Sequence, residues 1–201
     1  MGRKWESPPG NLYCSTVVDI RSGDPAPSSL SFVTALAVHD MLKGQLPAEV
    51  PILLKWPNDI LVRDAKICGI LLERVAEKVV VGIGINIISA PDLQDRATIY
   101  LRAANDRNEQ DVSQILDQLV PQFEKRLNQW RTSGLQSILR DWQAAAHKPG
   151  SSLSVSDPSG EKIHGEYQDL ADDGALRLRK PDGTLIVLHA GDVEMDQRVA
   201  E

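Results

Sequence analysis

The run Lys55-Trp56-Pro57-Asn58-Asp59 brings a cation, an amide and a carboxylate together beside a proline. Pro57 stands between two strand-like stretches and forces a strand to stop or bulge there. Trp56, just ahead of the proline, is expected to be extended. Such a break suits a polyanion with a metal ion: Lys55 could meet a phosphate as a point charge, and Asp59 could hold Mg2+ or a proton. The same residues could equally form a structural strand break, with Asn58 and Asp59 turned onto nearby backbone. Spacing alone leaves both open.

Further candidates follow downstream. Lys66 opens an otherwise apolar strand over residues 67–72, so it either points into a cleft or is the polar end of that strand. Gly69, inside the strand, hints at close approach by another group. In Val81-Gly82-Ile83-Gly84-Ile85-Asn86 the glycines are two apart and share one face. A planar or fused-ring ligand could lie on that bare face, or another element could pack there. The spacing is not that of a dinucleotide-binding loop. Gly2-Arg3-Lys4-Trp5 sets two cations beside an aromatic ring, suited to clamping a nucleotide, although a chain end commonly frays. The four histidines are dispersed, so no zinc site is expected. No nucleophile-elbow pattern is present. Trp130 and Trp142 read as helix core.

These residues need elements to hold them. Of the 201 residues 42% are hydrophobic and 25% charged, which fits one medium domain with room for a small module. A net charge of −6 argues against a nucleic-acid footprint. Cys14 and Cys68 read as buried reduced thiols. No membrane-length apolar run or signal pattern appears, so a cytoplasmic protein is the default expectation. A short β run is expected over 11–19, a turn over 25–29, and a largely buried helix over 30–42, ended by Gly44 and Pro47. Strands follow over 52–56, 60–63 and 66–75, the last two as a hairpin turning at Asp64-Ala65. A further strand covers 79–88. Residues 90–110 read as irregular, with one short helical piece. Two amphipathic helices come next, parted at Gly134. Composition shifts at 148–152, dividing the chain into 1–148 and 149–201. Five short strands in the second part predict a small barrel.

In order along the chain, Gly-Arg-Lys-Trp-x-Ser-Pro-x-Gly-Asn-Leu-Tyr, Lys-Trp-Pro-Asn-Asp, Lys-x-x-Gly-Ile-Leu-x-Glu and Val-Gly-Ile-Gly-Ile-Asn resemble the biotin protein ligases from Gly2 to about Ile87. The resemblance implies an α+β fold, a mixed or antiparallel sheet with packed helices of the class II synthetase-like type, followed by an SH3-like β-barrel. It also implies a two-step reaction. Biotin and ATP give biotinyl-5'-AMP, and a lysine of a biotin carboxyl carrier domain then takes the biotin. By the same resemblance Lys66 meets the biotin carboxylate and α-phosphate. Lys55, Asn58 and Asp59 belong to the nucleotide, Mg2+ and acceptor-lysine region, with Lys66 and Asp59 as the catalytic pair. Gly82 and Gly84 lie along the biotin rings, Gly69 is a further binding residue, Ile70 and Leu71 line the wall around its tail, and Asn86 lies near the nucleotide. Arg3 and Trp5 end the loop that closes over the adenylate.

The family's catalytic domain normally begins further upstream, with a first strand and helix, a Ser-Thr-Asn segment and a glycine- and arginine-rich loop. The expectation is therefore a misplaced start, a gene fragment or a shortened protein, with a sheet edge left exposed and stability lowered. Without a helix-turn-helix, a DNA-binding role is not expected. A homodimer is compatible with the family. A degenerate binding module of this fold, or a lipoate-type ligase, stands as the alternative. Lys-Trp-Pro-Asn-Asp favours biotin.

Overall fold

The structure, a computed structural model, describes residues 7–93, 96–105, 111–156 and 161–195. The first sheet is built from β1 (Leu12–Asp19), β2 (Ile52–Lys55), β3 (Asp59–Val62), β4 (Ala65–Val75) and β5 (Lys78–Ile85). Its order is β1-β5-β4-β3-β2, and every pairing is antiparallel. The 3–4 hairpin turns one residue earlier than expected. Arg63 and Asp64 both adopt positive φ, 50° and 61°, which is what a two-residue turn matched to strand twist requires. Ala65 is already strand.

Alternation divides this sheet cleanly. Val79, Val81, Ile83 and Ile85 of β5 and Cys68 and Ile70 of β4 are buried in the core shared with the helices. Helix α1 (Leu30–Gln45) is apolar almost all round because it is covered by the sheet on one side and by α3 (Val112–Ala144) on the other. The Ser29 hydroxyl, just ahead of α1, accepts from the Trp130 indole at 2.8 Å, and Phe32 meets Trp142 edge to face at 5.4 Å. The break expected at Gly134 is present: its φ of 75° and ψ of 176° kink α3 between two helical lengths. The short helical piece is α2 (Leu101–Asn105). Burial pushes the Cys68 and Cys14 thiols up, in keeping with reduced, unreactive cysteines.

The C-terminal strands β6 (Ser152–Ser156), β7 (Lys162–Leu170), β8 (Leu176–Arg179), β9 (Leu185–Leu188) and β10 (Asp192–Met195) form a second antiparallel sheet, in the order β10-β6-β7-β8-β9. These are the five short strands expected of a small SH3-like barrel, and the sheet is compatible with that module; among the described residues no ladder joins β9 to β10. The two sheets share one hydrophobic core that runs from Leu12 to Val193. Backbone links reinforce it: Leu54 N–H donates to Ala145 O at 2.9 Å, which covers part of the β2 edge. At the other edge, β1 exposes Ser15, Thr16 and Val17, so the apolar part of that edge is a single valine. No helix is long and apolar enough to cross a membrane among the described residues.

Gly174, in the turn between β7 and β8, shows how closely the second sheet approaches helix α1. Its φ is +88°, and a Cβ there would lie 2.5 Å from the Phe32 ring. Gly183 has a similar φ of +86° but open space around it. Gly174→Ala should therefore cost about 2–4 kcal/mol, the left-handed penalty plus overpacking, and Gly183→Ala about 1 kcal/mol. Chemical denaturation of both variants checks the difference.

His147 lies at the junction, 7% exposed, and its Nε2 has no hydrogen-bond partner. Burial holds the imidazole below its ordinary value of 6.5, with the Lys55 charge adding to the effect and Asp64 opposing it. The unfolded chain then binds the proton more readily than the folded one, so stability is lost as pH falls below 6.5. Thermal melts from neutral to mildly acidic pH should show this loss in the unaltered chain and a smaller one in His147→Gln.

Candidate active site

Cross-strand register places the candidate residues in one row. Tyr13 of β1 pairs with Gly84 of β5, Gly84 with Gly69 of β4, Gly69 with Asp59 of β3, and Asp59 with Lys55 of β2. Residues directly opposite share a face, so all five belong to the face turned away from the helices. One step along lies a parallel row, Ser15, Gly82 and Leu71. Three glycines thus keep the middle of this face bare. A Cβ at Gly82 would make only ordinary contacts, 3.6 Å to Leu71 O and 3.8 Å to Leu71 Cβ. Neither backbone strain nor crowding requires glycine at 82, which leaves the surface free for a flat ligand.

Lys66 joins this face through a bulge. Ile60 pairs with Cys68 and Leu61 pairs with Lys66, so β4 carries one extra residue, Ile67. Ile67 and Cys68 are in consequence both buried, and Lys66 is rotated onto the glycine side. Its Nζ reaches Asp59 Oδ1 at 2.5 Å. Without the extra residue, period-two alternation would put Lys66 on the helix side.

Asp59 is only 5% exposed and is enclosed by cations. Lys55 Nζ lies 3.8 Å from its Oδ2, and Arg96 also lies 3.8 Å from that oxygen. A second carboxylate, Asp192, binds Arg96 at 2.9 Å and stands 4.0 Å from Lys55. Burial pulls the Lys55 amine below the usual lysine range, and Asp59 and Asp192 partly restore it. The segment bearing Arg96 is clasped to β4: Lys66 N–H donates to Ala97 O at 2.9 Å, and Ile99 N–H to Lys66 O at 3.0 Å. Among the described residues three cations meet two carboxylates, at one end of a face whose middle carries glycines. That arrangement suits an anion carried on a ring system.

The expected residues are distributed as follows. Lys55, Asp59, Lys66, Gly69, Gly82, Gly84 and Leu71 share the face turned away from the helices; Leu71 is 68% exposed and Lys66 and Gly82 are partly exposed, while Lys55, Asp59, Gly69 and Gly84 are buried. Ile70 is a correction. It alternates to the opposite face, is 3% exposed in the helix-side core, and cannot line the same wall as Leu71. Asn58 donates from Nδ2 to Ile70 O at 2.7 Å, and Asn86 donates to Ile99 O at 3.1 Å. Both amides therefore brace backbone around the site. Arg3 and Trp5 lie outside the described residues. As a resident Mg2+ ligand, Asp59 does not fit: three cationic side chains stand within 4 Å of it, and no group of three metal-binding side chains occurs among the described residues. Sequence reading missed Arg96, Asp192 and Tyr13. Arg96 lies in a stretch read as irregular and Asp192 in a strand read as carrying no chemistry. Only their contacts single them out.

Comparison with known proteins shows the family and the fold. Residues 1–87 match the Biotin/lipoate A/B protein ligase family, and residues 155–196 match the Biotin protein ligase C terminal domain. The biotin–[acetyl-CoA-carboxylase] ligase of Paracoccus denitrificans is 34% identical over 195 residues, covering 92% of this chain and 81% of the relative. That of Mycobacterium tuberculosis is 38% identical over 171 residues, covering 82% of this chain and 61% of the relative. The biotin protein ligase from Aquifex aeolicus in complex with biotin and ATP shares the fold, with a TM-score of 0.82 at 23% identity, covering 97% of this chain and 82% of that one. The chain belongs to the biotin/lipoate protein ligase family, on its biotin protein ligase side, and so to a family of enzymes.

Breaking the charge cluster should cost stability. Asp59→Asn strands its cations and should lower stability by about 2–4 kcal/mol. Asp59→Asn combined with Lys66→Met should lose less than the sum of the two single changes, because the pair is coupled. Denaturant titration of the full double-mutant cycle measures that coupling.

Proposed function

We propose that this chain attaches biotin to a lysine of a biotin carboxyl carrier domain, using ATP and passing through biotinyl-5'-AMP. The observation that carries this reading is the bare face of Gly69, Gly82 and Gly84 running directly into the Lys66, Lys55 and Arg96 cluster. The fused rings of biotin lie on the glycines, with Leu71 beside the apolar tail and the carboxylate directed at Lys66. In the first step a biotin carboxylate oxygen bonds to the α-phosphorus, and the bond from that phosphorus to pyrophosphate breaks. Both reactants are anions, so the cations offset their repulsion and the charge that builds on phosphate. Mg2+ enters with the ATP phosphates as part of the substrate.

In the second step the carrier lysine's amine bonds to the biotin carbonyl carbon, and the carbon–oxygen bond to AMP breaks. As Lys66 turns to the acyl phosphate, Asp59 is freed to take the proton from the incoming ammonium. The carboxylase acceptor is supported by the names of the Paracoccus and Mycobacterium relatives. Residues 1–148 form the catalytic part and 149–201 a C-terminal module. ATP as substrate is in keeping with a cytoplasmic setting.

The test is to incubate the purified chain with ATP, Mg2+, biotin and a carrier domain, and to weigh the carrier by mass spectrometry. A mass gain of one biotin is expected. Lys66→Ala should slow adenylate formation by about a hundredfold or more. Gly82→Ala should melt close to the unaltered chain yet weaken biotin binding, since its Cβ meets only ordinary contacts while it raises the flat face. Transfer of lipoate in place of biotin, or no adenylate at all, would refute the reading.

A further inference from the structure

Among the described residues the second sheet reaches into the charge cluster through Asp192, the first of β10. We propose that Asp192 is a positioning residue for adenylation: it holds Arg96 away from Asp59 and so keeps Arg96 and Lys66 available to the triphosphate. The proposal rests on the ligase reading above.

Arg96 bridges the two carboxylates with separate nitrogens, one 2.9 Å from Asp192 Oδ2 and the other 3.8 Å from Asp59 Oδ2. The Asp192 contact is thus a close charge-assisted hydrogen bond, and the Asp59 contact is not. Asp59 in turn keeps its close contact for Lys66. Removing the Asp192 carboxylate takes away a close hold on Arg96 and shifts its balance toward Asp59, where it competes with Lys66 and occupies the space where phosphate charge must be met.

The chain is built to deliver Asp192 to this point. Gly191, just before it, has φ +159°, and a Cβ there would lie 2.6 Å from Val155 Cγ1, 3.1 Å from Ser156 O and 3.7 Å from the Trp56 ring. Trp56 Nε1 also donates to Gly174 O at 3.0 Å. Trp56 is therefore gripped by two turns of the second sheet, one of them leading into Asp192, while its chain neighbour Lys55 lies in the cluster. The second sheet and the cluster are mechanically one unit, and Asp192 is its charged contact.

Positioning and simple charge predict opposite signs. Asp192→Asn makes the cluster more positive by removing one carboxylate, which by charge alone tightens ATP binding. Loss of positioning weakens it. The experiment measures biotin- and ATP-dependent pyrophosphate release by the full chain, with biotin binding followed separately by calorimetry. Asp192→Asn is expected to raise KM for ATP about tenfold and lower kcat, with biotin affinity unchanged. Asp192→Glu should restore most of the loss. Arg96→Gln should show a similar defect, and the Asp192→Asn, Arg96→Gln double variant should be little worse than either single one. An unchanged or lower KM for ATP in Asp192→Asn overturns the proposal. So does a parallel fall in biotin affinity and melting temperature, which marks a merely structural role. If the unaltered chain releases no pyrophosphate, the ligase reading itself fails. If it does and Asp192→Asn matches it, only the positioning role fails.

Discussion

A carboxylate shut off from water is costly unless cations meet it, and much of this protein is arranged around one such group, Asp59. Each partner comes from a different piece of chain. The 2–3 hairpin register supplies Lys55, the bulge at Ile67 supplies Lys66, the segment clasped along β4 supplies Arg96, and the second sheet adds Asp192 to balance the surplus. None of these cations is far in space from a glycine of the bare face. The same electrostatic requirement that stabilises Asp59 therefore concentrates positive charge where an anionic ligand would have its reacting end.

The flatness of the neighbouring face has a separate origin. A strand residue without a side chain costs conformational entropy and loses packing, so glycines in a strand usually answer to crowding or a turn. Gly82 answers to neither, because its surroundings would accept a Cβ. On the helix side of the same strand Val79, Val81, Ile83 and Ile85 are buried in an ordinary apolar core. One strand thus serves stability with one face and leaves the other for binding, and period-two alternation keeps the two roles apart.

Trp56 links the halves of the chain. It sits inside the run that holds Lys55, Asn58 and Asp59, yet its ring is buried against the second sheet, not presented to a ligand. Pro57 breaks the strand so that this ring turns toward the second sheet while Lys55 and Asp59 pair on the face turned away from the helices. Movement of the second sheet would accordingly be felt at the cluster, which gives a physical reason for the two parts to occur in one chain.

Much of this was legible in the residues alone. The helix over residues 30–42, the break at Gly134, the five C-terminal strands and the shared face of Gly82 and Gly84 all follow from local periodicity and turn chemistry, because alternation and backbone permissiveness are properties of a short stretch. The motifs also named Lys55, Asp59 and Lys66. They could not decide which way Lys66 points, since a single extra residue in β4 reverses its face and the partner strand alone reveals it. They assigned Ile70 and Leu71 to one wall, although neighbours in a strand face opposite ways. Arg96 and Asp192 had no local signal, being ordinary charged residues until folding sets them 2.9 Å apart, one in the segment beside β4 and the other in β10. Sequence by itself thus determined the strand break at Lys55–Asp59, the glycine face behind it and the family. Tertiary structure decided the pairing around Asp59, because that pairing depends on register between strands distant in the chain, and register is a property of the fold.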